Sequence, residues 1–62
     1  MPYDIEQESR KAISAELELQ ACYRRMSSQA SNPKVRAVIH DLLLMEEMNE
    51  VLLRSLNQSL GS

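Results

Sequence analysis

Staples and breakers are both scarce in this chain. It holds one cysteine, Cys22, so no internal disulfide can form, and a lone thiol fits a reducing, cytosolic setting. There is one glycine and there are two prolines; Pro2 precedes the first periodic segment, Gly61 follows the last, and Pro33 alone falls between them. Phenylalanine and tryptophan are absent and only two tyrosines occur, which leaves little stacking surface for bases. Seven basic residues face nine acidic ones with the signs interspersed, so no basic stripe exists and a nucleic-acid partner is not expected. The longest apolar run, Leu42 to Met45, is far too short to span a bilayer, and no charged segment leads into an apolar core as in a secretory signal. The expectation is therefore a chain that is not a membrane protein and resides in the cytoplasm.

What remains is rich in Glu, Leu, Ala, Arg, Gln and Met, all good helix formers. Asp4 is a natural N-cap with Gln7 three residues on, which starts a first helix near residue 4 and carries it to about residue 31. Asn32 followed by Pro33 is a restart signal, the Asn as cap and the Pro at the first helical position where its missing N–H does no harm. A second helix then runs from 33 to about 58. The whole of 1–62 reads as a single all-α domain, a helical hairpin whose short turn forces its helices to be antiparallel neighbours.

Spacing of three and four picks out Ile5, Ser9, Ala12, Glu16, Leu19, Tyr23, Met26 and Ala30 on the first helix. On the second it picks out Val35, Ile39, Leu42, Glu46, Asn49, Leu53, Leu56 and Leu60, widened by Val38, Met45 and Leu52. One hairpin cannot cover two such wide stripes, and a 62-residue domain is marginal alone. Pairing with a second copy into a four-helix bundle covers both, and a two-fold homodimer is the commonest solution.

Three polar residues interrupt the stripes: Glu16, Glu46 and Asn49. A carboxylate buried without a partner costs several kcal/mol, so the placement needs a reason. Counted outward from the turn, Glu16 lies as far back as Glu46 and Asn49 lie forward, and all three fall at one height in an antiparallel hairpin. In a dimer with matching levels, four carboxylates and two amides converge. Oxygen ligands from facing helices suit a hard or borderline cation, and a carboxylate-bridged di-metal site is the corresponding chemistry. The competing reading gives both glutamates as boundary residues reaching water or an arginine. His40 lies off the stripe and too near the turn to join them; Cys22 reads as a structural thiol. Glu50 and Arg54 read as an exposed i,i+4 pair.

These residues resemble the rubrerythrin and ferritin-like group, which carries a Glu seven residues before a Tyr on one helix and Glu-x-x-His on the next. Glu16 and Tyr23 have the first spacing, and Glu46 stands where the second Glu falls in Met-Glu-Glu-Met-Asn-Glu. The resemblance is strongest to the short encapsulin-associated ferritin-like proteins, two-helix hairpins that assemble their bundle between subunits. It implies a di-iron site, a ferroxidase-like oxidation or storage of iron, a homo-oligomer, and an encapsulin shell as partner, hence a location within a protein compartment. It makes Glu16, Glu46 and Asn49 the metal residues, with Tyr23 and Glu50 behind them. Asn49 departs from the pattern, because the family has histidine there. An oxygen-rich set favours calcium, magnesium or manganese over Fe(II), or no metal at all. The alternative function is thus a metal-free structural or partner-binding bundle. The tail from Leu56 to Ser62 also resembles the short tags that dock cargo in such shells; its other reading is a helix end.

Overall fold

The structure, a computed structural model, describes residues 4–61. Among these it is all-helical, with α1 spanning Ile5–Gln29 and α2 spanning Pro33–Gly61. Each start is fixed by the side chain in front of it. The Asp4 carboxylate accepts from the backbone N–H groups of Glu6 at 3.1 Å and Gln7 at 3.3 Å. The Asn32 Oδ1 accepts from those of Lys34 at 2.8 Å and Val35 at 3.3 Å. α1 ends where Ala30 turns extended, its N–H donating to the Met26 carbonyl. α2 continues helical to Gly61, three residues beyond the expected end near 58, because no breaker precedes that glycine. The tail that resembled a docking tag is therefore helical through Gly61.

Asn32 caps the whole second helix, so its removal has a defined effect. Asn32→Ala is expected to lose about 1 kcal/mol, read as a fall of roughly 4–8 °C in melting temperature.

Long-range hydrogen bonds set the helices antiparallel: Asn57 reaches back to Glu6 and Ser9, and Gln20 reaches Glu46 and Glu50. The hairpin is a rod of 47 × 18 × 13 Å. Its helices meet along a seam in which alternate members of each expected stripe turn inward. From α1 these are Ser9, Glu16 and Tyr23, with Ala30 just past its end, joined by Ile13 and Gln20; from α2 they are Ile39, Glu46, Leu53 and Leu60, joined by Glu50 and Asn57. The intervening members Ile5, Leu19 and Met26 of α1, and Val35, Asn49 and Leu56 of α2, stay exposed, with Ala12 and Leu42 half-buried. Among the described residues only Ile39, at 4% exposure, is a buried apolar side chain, while Ser9 and Gln20 are the buried polar ones. The seam is thus largely polar and the apolar face looks outward. No described helix is long and apolar enough to cross a membrane.

Candidate metal centre

Glu16 and Glu46 meet in the middle of the seam. Both are half-buried, and the Oε2 atom of each is buried with no hydrogen-bond partner. The Glu16 carboxyl lies against that of Glu46, placed so that one proton can be shared between them. Sharing a proton with Glu46 pushes the Glu16 pKa above the ordinary carboxylate range; burial, the Glu46 charge and the Glu50 charge push it the same way. Among the described residues no cationic side chain forms an ion pair with either of the two.

The arginines are engaged a turn away. Gln20, 3% exposed, anchors this neighbouring network. Its Nε2 donates to Glu50 Oε1 at 2.8 Å and to the Glu46 carbonyl at 3.4 Å, while its Oε1 accepts from Arg24 at 3.4 Å. Arg24 also stands 3.9 Å from Glu47. Arg54 Nε donates to the second Glu50 oxygen at 2.7 Å. The pair of Glu50 with Arg54 exists, but Glu50 is not on an open face: only 20% of its side chain is exposed, because the inner oxygen points into the seam toward Gln20. Gln20 and Arg54 hold the Glu50 carboxyl below the ordinary range, overcoming the opposing effect of burial. Both of its oxygens are therefore committed, and it stands behind the Glu16–Glu46 pair as a charge.

Tyr23 is half-buried on the seam two turns along from Glu16. Asn49 lies elsewhere. It is exposed and lines an apolar groove with Ala12, Glu16, Leu52, Leu53 and Leu56. Glu16 therefore borders both the seam, where it meets Glu46, and the groove, which Asn49 also lines. His40 is exposed beside Asp41. No three His, Cys, Asp or Glu side chains among the described residues gather into a metal-holding group within one chain. Within one chain the seam brings two carboxylates together, Glu16 and Glu46.

Sequence reasoning missed Gln20 and Asn57 because both are polar residues on a stripe sought by apolarity. Their signal was positional: Gln20 is four residues after Glu16 and three before Tyr23, and Asn57 is four after Leu53 and three before Leu60.

The two carboxyl shifts oppose one another in pH. Glu50 binds its proton less tightly folded than unfolded, so its contribution to stability is present above the ordinary carboxylate value and is lost as pH falls through its lowered folded value. Glu16 binds its proton more tightly when folded, so its contribution is greatest below the ordinary value and is lost as pH rises through its raised folded value. Urea unfolding across this range should show Glu50→Gln flattening the acid side of the profile and Glu16→Gln flattening the side above the ordinary value.

No protein family, no curated protein and no solved structure matches this chain. What fold and site together define is a two-helix hairpin carrying a carboxylate pair in a polar seam.

Proposed function

We propose that this chain is a ferritin-like metal-binding protein that works as a homo-oligomer, with Glu16 and Glu46 as its cation-holding carboxylates. One observation carries the reading: two adjoining carboxylates each keep a buried oxygen with no hydrogen-bond partner and no cationic side chain beside it. Two negative charges brought together away from water repel and lose hydration, and a divalent cation between them compensates both effects. The donors are all oxygen, which suits Mn(II), Mg(II), Ca(II) or Fe(II) as hard to borderline ions. Asn49, across the groove from Glu16, offers a carbonyl oxygen as a weaker ligand, and a second copy brings the same set again. Tyr23 and Glu50 would act behind the ligands, Glu50 by adding negative charge and Tyr23 by its hydroxyl. With iron bound, such a site supplies oxidation of Fe(II) by dioxygen or peroxide. An encapsulin shell as partner and a compartment as location rest on the resemblance of the motifs and the tail.

A second reading has its own support. A proton shared between Glu16 and Glu46 settles the pair without any metal, as in a structural or partner-binding bundle. Melting temperature of chelator-stripped protein, with and without Fe(II), Mn(II), Zn(II) and Ca(II), separates the two. Saturable binding of about one or two ions per pair of chains, stabilising by about 2.7 kcal/mol at a hundredfold excess over Kd, is the expected result. An unchanged melting temperature with every ion assigns the chain to the metal-free bundle.

A further inference from the structure

The outward face of α2 is the largest feature that the carboxylate pair leaves unused. From Val35 to Leu56 its residues recur at intervals of three and four, the period of side chains that pack one helix along another. Val38, Met45 and Leu52 on this line are 59%, 63% and 62% exposed. Met26 of α1 joins it near the turn, beside Val35 and Val38, and Ala12 joins it near the open end, beside Leu52 and Leu56. No charged residue interrupts the line, and one polar residue does: Asn49. Its amide is exposed and no other described residue hydrogen-bonds it.

The amount of exposed surface says what covers this face. A compact protein of 7.1 kDa exposes about 4,100 Å². This hairpin exposes 4936 Å², an excess of roughly 850 Å², close to the ~800 Å² each partner contributes to a standard interface. The radius of gyration agrees: 14.5 Å is well above the ~11 Å of a compact chain this long and near the ~14 Å of one twice as long. Both quantities are those expected of one half of a larger bundle.

We propose that the Val35–Leu56 line of α2 is the contact face for a second, two-fold-related copy of this chain, and that Asn49 is the buried polar residue that sets its register. The inference deepens the homo-oligomer reading above by naming the face and the residue that selects the partner, and it does not depend on metal. α2 spans Pro33–Gly61 and its midpoint is residue 47. A two-fold axis that overlaps all of α2 sets the two Asn49 residues about 6 Å apart along the helices, within reach of each other's amides. Each amide then loses water on pairing and finds a donor and an acceptor on the partner. A shifted register buries it against Leu or Met with neither, and that difference selects one alignment.

The test is sedimentation equilibrium in chelator, so that a failed metal reading leaves it untouched. The wild-type chain should sediment at twice its mass, with a melting temperature that rises with protein concentration. Leu52→Lys should sediment as monomer, while Met48→Lys, exposed but off this line, should remain a dimer. Asn49→Leu should associate about tenfold more tightly and lose its single stoichiometry, giving mixed oligomers. A wild-type monomer whose melting temperature ignores concentration overturns the proposal without any variant. A dimer that survives Leu52→Lys overturns the face, and a single unchanged dimer in Asn49→Leu overturns the role of Asn49.

Discussion

Ile39→Ala should be the most damaging single substitution in this chain. Ile39 is the one apolar side chain buried within the described hairpin, at 4% exposure, next to Met26, Val35, Val38 and Leu42 near the turn. Replacing a buried Ile by Ala typically costs about 2–5 kcal/mol, the loss of transfer energy plus that of the cavity left behind. A domain of this length has a total stability of only about 3–9 kcal/mol. The variant should thus lose roughly a fifth of its stability at the least and more than half at mid-range, and its urea midpoint should fall accordingly at unchanged slope. Leu44→Ala, at a residue 51% exposed, is the matched control and should change the midpoint by far less. Equal effects of the two would show that the seam near the turn does not hold the hairpin together.

The second large effect concerns the carboxylate pair. Glu16→Gln with Glu46→Gln preserves side-chain shape, removes both negative charges, and lets each amide donate to the other. Without metal, the double variant should melt a few degrees higher than the wild type at neutral pH, because the repulsion and lost hydration of the pair are gone. With metal, the order should reverse. The wild type should gain roughly 10–20 °C at a hundredfold excess over Kd, and the variant should gain nothing. A variant that keeps the metal-dependent rise would place the ion elsewhere. A wild type with no such rise, beside a stabilised variant, would assign the pair to a shared proton.

The local instructions were legible in the sequence because they act over a few residues. Asp4 and Asn32 are caps by side-chain chemistry alone, and Pro33 is positioned where a helix accepts it. The meeting of Glu16 with Glu46 was legible for a related reason: with a turn at a known place, height in an antiparallel hairpin is a matter of counting. The division of the stripes was not. A line of side chains at intervals of three and four points between two neighbouring helices, and apolarity does not say which neighbour takes which member. The structure gives the polar members Ser9, Glu16 and Glu46 to the seam and leaves Leu19, Val35 and Leu56 outward. Hydrogen bonding decides this, since the side-chain amide N–H groups of Gln20 and Asn57 find their acceptors across the hairpin. Glu50 was misjudged for the same reason. Arg54 four residues on explained one of its oxygens, and nothing local revealed Gln20 waiting for the other.

The two ends of the rod are held differently. At the turn, Ile39 is packed close to a short connection, where chain closure restricts few residues. At the far end, the tie is the Asn57 amide, donating to Ser9 Oγ at 2.6 Å and to the Glu6 carbonyl at 3.3 Å. Loss of that one tie frees the tips of both helices at once, while loss of any contact near the turn leaves the chain connection to restore it. Opening from the free end would therefore reach Glu16 and Glu46 before Ile39. The carboxylate pair, midway along the seam, would thus be uncovered while the anchor beside the turn stays closed.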